Sequence, residues 1–265
     1  MVILSCYKKL GELTEDVDET IDVFSGSGLF DGIEVVLSDP SVFRGICGKE
    51  LEVTGEKLAP FSVSTHLPFY DLNFGSPDPF ISKYSVDVML EALEVSLLLG
   101  SSIAVSHINL NRSLPEKAFK KWWKGFVEAK NKIEKKADEL GLTVVWENTY
   151  ENDFKVFDMM LEENDKTLFC LDVGHCNCFA DFTALQFIER YGKSVKHIHL
   201  HDNFGDEDSH LVPGKGNIDF VPIMERLCVT DVDTAVFEIK VQELVGCPKT
   251  IEPKLYQLIE RIKKN

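Results

Sequence analysis

The sequence predicts an α/β fold, a single closed (β/α)₈ barrel. Eight short runs rich in Val, Ile and Phe alternate with longer helical patterns over the 265 residues. Repeated βα units build a parallel sheet, and about eight units in roughly 250 residues is the count of a closed barrel. No linker or internal repeat divides residues 1–265, so we expect one domain. An open, doubly wound sheet is the alternative, but no GxGxxG motif follows the first run.

The candidate strands are too short to be free-standing helices, and their β-branched composition is typical of buried parallel strands. In chain order they are Val2–Ser5, Gly32–Leu37, Phe61–His66, Ser102–His107, Thr143–Glu147, Thr167–Asp172, Val195–His201 and Thr234–Glu238.

The candidate helices carry start and stop signals. Thr14–Phe24 begins with an acidic first turn, and the wide apolar stripe of Ser85–Leu99 ends at Gly100. Pro115 begins a long helix that ends near Gly141. Four more helices complete the alternation: Asn152–Glu163, Phe182–Tyr191, Phe220–Leu227 and Pro253–Lys263.

Composition restricts the classes of function. Lys and Arg total 28 and Asp and Glu total 44, so the formal charge is −16, which repels nucleic acid and anionic lipid at long range. No apolar run approaches the roughly 18 residues of a membrane span, and the first residues lack a secretory pattern, so we expect a cytoplasmic protein without membrane contact. The seven cysteines form no CxxC pair, which disfavours a disulfide framework and a thiolate zinc site.

Side chains able to bind a metal occur at the carboxyl ends of the predicted strands. All these ends open onto one face of a parallel barrel, and several carboxylates there would repel one another unless cations or protons neutralised them. Oxygen and imidazole ligands without thiolates suit Zn, Mn, Mg, Co or Fe(II). The candidates are His66, His107, Glu147, Asp172, His199 and Glu238, with His175 in the loop after Asp172 and Asp208 and His210 after strand seven.

Three histidines share one face of the seventh strand because side chains alternate with a period of two. Their spacing along the barrel axis prevents all three from binding one ion. His199 is the preferred ligand, His197 lies deeper as a hydrogen-bonded core group, and His201 either supports a ligand or faces substrate. For Glu34, lining the pocket and accepting a hydrogen bond at a strand end both stay open.

These positions carry a resemblance to a known superfamily. The segments that carry it are Ser64-Thr-His66, Val105-Ser-His107, Val145-Trp-Glu147-Asn148, Leu171-Asp172-Val-Gly-His175, His197-Ile-His199-Leu-His-Asp202, Asp208-Ser-His210, Pro213–Asp219 and Phe237-Glu238. Their order and spacing resemble the xylose isomerase-like TIM-barrel superfamily, which contains sugar isomerases and epimerases and also endonuclease IV.

The sugar branch implies one divalent ion, Zn or Mn in the first place, held by Glu147, Asp172, His199 and Glu238. It also implies that Glu147 and Glu238 exchange the substrate proton next to a carbonyl polarised by the ion. The expected partner is a small sugar or sugar phosphate. The resemblance also allows a homo-oligomer, since relatives are often dimers or tetramers. The residues expected to bind substrate are His66, His107, His175, His201 and Lys215.

The endonuclease IV branch resembles the same scaffold with three zinc ions and nine ligands. Matches to all nine are present, so between one and three ions are expected, and cleavage of DNA at abasic sites is the alternative function. The charge of −16 and the few Arg and Lys in the loops favour the small substrate. A metal-binding barrel without catalysis, such as a ligand sensor, is a third reading.

Overall fold

Eight parallel strands close into a barrel in which neighbours in sequence are neighbours in space, and β8 returns to pair with β1. The computed structural model describes residues 3–227 and 230–240. Pairing of Ile3–Cys6 with Thr234–Phe237 rules out the open sheet and confirms the predicted barrel. The strands are β1 Ile3–Lys9, β2 Gly32–Val36, β3 Ser62–His66, β4 Ser101–His107, β5 Thr143–Glu147, β6 Phe169–Asp172, β7 Val195–Leu200 and β8 Thr234–Phe237.

The helices form the outer layer. Those described are α1 Leu10–Glu15, α2 Val17–Ser27, α3 Pro40–Gly45, α4 Gly48–Leu58, α5 Pro79–Leu98, α6 Glu116–Leu140, α7 Lys155–Glu163, α8 Val173–Phe179, α9 Ala184–Tyr191 and α10 Phe220–Leu227. The predicted helix Pro253–Lys263 lies outside the described residues, as does Val2 of the first predicted strand.

Several predicted boundaries shift for local reasons. The predicted Thr14–Phe24 helix is found with a break, because the chain leaves helical geometry at Asp16, where φ is −147°, so residues 14–15 end α1 and residues 17–24 belong to α2. Helix α5 begins at Pro79, because the Asp78 carboxylate caps it by accepting from Phe80 N at 2.9 Å. Helix α6 ends at Gly141 as predicted, in left-handed geometry with φ of 74°.

The two-residue alternation of the strands separates an outer core from a barrel interior. Trp146 faces outward and packs against Phe126 of α6, with ring centroids 5.4 Å apart. A smaller buried cluster that contains Val105, Val145 and Cys170 lies inside. His107, Glu147 and Asp172 follow these three residues at a spacing of two, so they share the inward face one layer nearer the mouth. These three potential metal ligands therefore lie directly above a layer of apolar side chains inside the barrel.

Within the described residues, no helix has the length and apolar character to cross a membrane. The five cysteines in this part of the chain, Cys6, Cys47, Cys170, Cys176 and Cys178, are all free thiols, in line with the expected absence of a disulfide framework there.

Candidate metal centre

Four strand ends bring three carboxylates and one imidazole together at the mouth of the barrel. One ligand atom from each of Glu147, Asp172, His199 and Glu238 lies within 4.8 Å of all the others. His199 Nδ1 is 3.0 Å from Glu147 Oε1, 3.3 Å from Glu238 Oε1 and 3.7 Å from Asp172 Oδ2. All four residues are buried. We call them the central group.

The donor chemistry and spacing of the central group fit a divalent cation. Ligand atoms bonded to one ion at about 2.0–2.2 Å stand roughly 3–3.6 Å from one another in tetrahedral or octahedral geometry. The separations of His199 Nδ1 from Glu147 and Glu238, 3.0 and 3.3 Å, fall within this range, and the 3.7 Å separation from Asp172 lies just above it. Three buried carboxylates beside one another also require compensating positive charge.

A second group of ligand atoms surrounds the other oxygen of Glu147. Oε2 lies 3.1 Å from His66 Nε2 and 2.8 Å from His107 Nε2, and the two histidine nitrogens are 3.2 Å apart. Glu147 thus bridges this group and the central group, one oxygen to each. Such bridging carboxylates are the means by which neighbouring ions share a site.

A third group forms around Asp208. Its Oδ2 lies 3.3 Å from His175 Nε2 and 3.1 Å from His210 Nε2. His210 has a left-handed φ of 46°, and its Nδ1–H donates to the Glu238 carbonyl at 2.7 Å, so the turned backbone aims Nε2 at Asp208. The expectation that His175 lies in a loop is wrong: it lies in helix α8, whose first turn is capped by Asp172 through the bond from His175 N at 2.6 Å.

Behind these ligands, a supporting layer holds their rings. Glu34 is fully buried; its Oε1 lies 3.0 Å from His199 Nε2, while its Oε2 lies 2.9 Å from His197 Nε2. Of the two interpretations left open for Glu34, the structure supports the hydrogen-bond acceptor, and His197 is the buried polar residue that was expected. His201 Nε2 is 3.1 Å from each Asp172 oxygen, a supporting contact.

When only protons compensate the charge, attraction between these groups lowers the pKa of Glu147, Asp172 and Asp208 and raises the pKa of His175, His199 and His210. Burial opposes ionisation of Glu147, but the nearby His107 and His199 outweigh it, so the Glu147 pKa lies well below its ordinary value. Burial works against protonation of His210, yet its bond to Asp208 and the charge of Glu238 raise its pKa to about 9. In contrast, burial dominates at His107 and lowers its pKa to about 4.

The three groups open into one cavity of about 400 Å³, which we call the site cavity. This volume falls within the roughly 300–1,000 Å³ typical of small-molecule sites. Its lining includes seven of the nine predicted metal ligands: His66, His107, Glu147, His175, Asp208, His210 and Glu238. Asp172 and His199 are completely buried beneath it. Lys215 is exposed in the loop after β7 and is not part of this lining.

The lining also includes residues that the sequence did not single out, chiefly Tyr7, Lys9, Phe69 and Tyr150. Tyr7 and Lys9 continue the inward alternation of β1 after Ser5, and Lys9 pairs with Val36. The two-residue alternation could have identified Tyr7 and Lys9. The predicted strand ended at Ser5, however, so it did not include these two residues at the mouth of the barrel.

Comparison with known proteins agrees with this geometry. A family model described as a xylose isomerase-like TIM barrel matches residues 27–261. The chain belongs to this family. Among xylose isomerase-like barrels of known structure, a D-tagatose 3-epimerase-like protein aligns with a TM-score of 0.75 and 20% identity over 99% of both chains. The TTHB071 protein of Thermus thermophilus, from a crystal soaked with zinc chloride, aligns with a TM-score of 0.79 and 20% identity over 100% of this chain and 99% of that one.

Curated relatives match over shorter stretches. An uncharacterized protein of Methanocaldococcus jannaschii is 27% identical over 187 residues, which is 62% of this chain and 59% of that protein. An inosose dehydratase of Clostridium perfringens is 28% identical over 127 residues, 40% of this chain and 42% of the dehydratase. The xylose isomerase-like chain thus spans about 60% of the length of the first relatives it matches.

Proposed function

We propose that this protein is a divalent-metal-dependent isomerase or epimerase of a sugar or sugar phosphate. The observation that carries the proposal is the central group, in which Glu147, Asp172, His199 and Glu238 converge. Two of these residues, Glu147 and Glu238, line the site cavity, where a substrate carbon would lie beside them. Two carboxylates at one cavity can serve as the base that removes a proton and the acid that returns one.

Each of the two glutamates has a separate task. The lowered pKa of Glu147 keeps it ionised at neutral pH, so it is ready to accept a proton from the carbon next to a substrate carbonyl. Glu238, which directly follows β8, enters the step as the carboxylic acid and gives its proton to the neighbouring carbon or to the other face of the same carbon. Glu147 leaves the step protonated, and proton exchange with solvent resets both groups. The central group would hold a divalent ion, whose Lewis acidity would polarise the carbonyl. Asp172 and His199, the other two residues of the central group, are completely buried, so they are shielded from water.

The names of similar proteins support this reaction class. One structural neighbour is described as D-tagatose 3-epimerase-like, and a curated relative is an inosose dehydratase. Epimerisation next to a carbonyl and elimination of water next to a carbonyl both begin with removal of an activated C–H proton. Zn or Mn is the proposed ion, with Mg, Co or Fe as further candidates. The zinc soak of the TTHB071 protein is consistent with that choice.

Replacing the two glutamates tests their proposed role. We expect Glu147→Gln and Glu238→Gln each to lower turnover of a ketose by about 10²–10⁴-fold, measured at saturating metal, because an amide cannot accept the proton. The matched control is Glu189→Gln, an exposed glutamate on α9, which should retain wild-type turnover. Circular dichroism and metal content per chain accompany the assay. Wild-type turnover in either site variant contradicts the acid–base assignment.

The second and third groups favour one further candidate, a zinc-dependent nuclease acting at abasic sites in DNA. Both groups are assembled around Glu147 and Asp208 at short distances, which is the arrangement a multi-ion phosphodiesterase needs. Elemental analysis of the purified protein separates the candidates. One ion per chain with no cleavage of an abasic duplex supports the sugar enzyme, whereas three ions with cleavage support the nuclease.

A further inference from the structure

A second cavity of about 620 Å³, which we call the side cavity, adjoins the site cavity. Four residues line both cavities, namely Lys9, Val36, Ser38 and Tyr70. Beyond this junction the side cavity extends away from the metal ligands, between the ends of β1 and β2 and the loop after β3. A substrate bound at the central group can therefore continue into a space as large as the site cavity itself.

The walls of the side cavity combine aromatic rings with carboxylates. Tyr70 and Tyr84 are 67% and 51% exposed, so their rings are available at the rim. Glu12, Asp39 and Asp71 add carboxylate oxygens. A sugar ring has apolar C–H faces that pack on aromatic rings, and its hydroxyl groups donate hydrogen bonds to carboxylates. The lining thus suits a polyhydroxylated ring.

Charge decides between an uncharged and an anionic group in this space. The lining has three carboxylates and one ammonium, that of Lys9, so the balance is −2. A phosphate there would be repelled more than attracted. Lys8 is 3.5 Å from Glu12, while Lys9 has no ion pair among the residues that the structure describes and stands at the junction, where it can donate to a linking or ring oxygen.

We propose that the substrate is a glycoside, whose reacting sugar lies at the central group and whose second, uncharged sugar ring lies in the side cavity. This inference rests on the proposed function and adds a substrate class to it. Tyr70 and Tyr84 pack against the second ring, and Lys9 and Ser38 contact the linkage. Binding energy from this remote ring then accelerates the reaction at the metal-binding end.

The test compares three ketoses that differ only at O6: D-fructose, D-fructose 6-phosphate and 6-O-α-D-glucosyl-D-fructose. The metal-loaded protein is incubated with each sugar in deuterated water, and NMR follows exchange of the protons next to the carbonyl. We expect kcat/KM for the glucosyl ketose to exceed that for fructose at least tenfold.

Variants then locate the origin of this preference. Val42 is half-buried on α3 and lines the side cavity only, so Val42→Trp should fill that cavity and bring the ratio of the two rates close to one. Val53→Trp, at a 42% exposed position on α4 that lines neither cavity, is the matched control and should keep the ratio. Tyr84→Ala, which removes one of the two rings at the rim, should also lower this ratio, and circular dichroism checks that the variant is folded.

The possible outcomes separate the two proposals. Equal rates for fructose and its glucosyl derivative, or a preference that persists in Val42→Trp, overturn the glycoside inference and leave the proposed function standing. A preference for fructose 6-phosphate that is lost in Lys9→Gln also overturns it, in favour of an anionic substrate. Exchange with none of the three ketoses contradicts the proposed function, and the glycoside inference falls with it.

Discussion

At the scale of single residues, Glu34 shows how a group outside the cavity can control the site. It contacts two imidazoles, His197 and His199, and accepts from Ser64 Oγ at 2.8 Å. Its Oε1 lies 3.0 Å from Nε2 of the His199 ring, whose Nδ1 faces the three carboxylates of the central group. A carboxylate behind a ligand imidazole also increases the basicity of that ligand.

Glu34→Gln is predicted to weaken metal binding by about 10–100-fold without unfolding the protein. The Gln side chain has the volume of Glu but lacks the negative charge beside His199. Titration calorimetry with zinc or manganese measures the affinity. Ser64→Ala, which removes only a neutral hydrogen bond to the same carboxylate, is the control and should change the affinity much less. Equal affinities for wild type and Glu34→Gln would show that Glu34 does not support His199.

The sequence was sufficient to identify the residues of the three ligand groups. Most of them end a predicted strand, and a closed parallel barrel places all strand ends at one face. Tyr7 and Lys9 could not be identified in this way, because the pair Lys8-Lys9 resembles the polar residues that follow the end of a strand. In the structure Lys9 still pairs with Val36, and the inward pattern continues to the mouth. Which histidine bonds to which carboxylate depends on ring orientation, which a sequence pattern does not contain.

At the scale of elements, helix α8 connects two ligand groups. Asp172 belongs to the central group and caps this helix, and His175 in its first turn reaches Asp208. The helix was not predicted, because its seven residues, Val-Gly-His-Cys-Asn-Cys-Phe, have weak helical propensity and are too few to form a stable helix without the barrel. At Gly174, a Cβ would overlap the His201 imidazole, which supports Asp172.

Gly174→Ala should therefore displace His201, lower stability by about 1–3 kcal/mol and weaken metal binding. Denaturant unfolding and calorimetry measure the two effects. Gly26→Ala is the control, since it lies on α2 with no atom near a new Cβ and should gain up to about 1 kcal/mol from helix propensity. Unchanged metal affinity in Gly174→Ala would show that the packing of α8 against His201 does not influence the ligands.

At the scale of the whole molecule, closure of the barrel turns scattered strand ends into one site. The count of βα units predicted closure, yet the decisive contact joins the most distant strands, β1 and β8, and no local pattern encodes it. Closure also concentrates acidic groups of a chain whose net charge is −16. Without a metal ion, imidazolium groups such as that of His210 must balance the carboxylates. Proton and metal therefore compete for the same nitrogen atoms.

This competition predicts a pH-dependent difference in thermal stability. The folded pKa of His210 is about 9, above its ordinary value of 6.5, so the stabilisation from its proton is complete below about pH 6.5 and is lost as the pH rises through 9. An ion in the central group would neutralise part of the Glu238 charge that raises the His210 pKa, so the metal-loaded protein gains less from this proton and loses less as the pH rises. The difference in Tm between metal-loaded and chelator-treated protein should therefore widen from pH 6.5 to 9, as followed by scanning calorimetry. In His210→Asn, which has no such proton to lose, the difference in Tm should widen less. A difference that narrows with pH would contradict this coupling between the central group and His210.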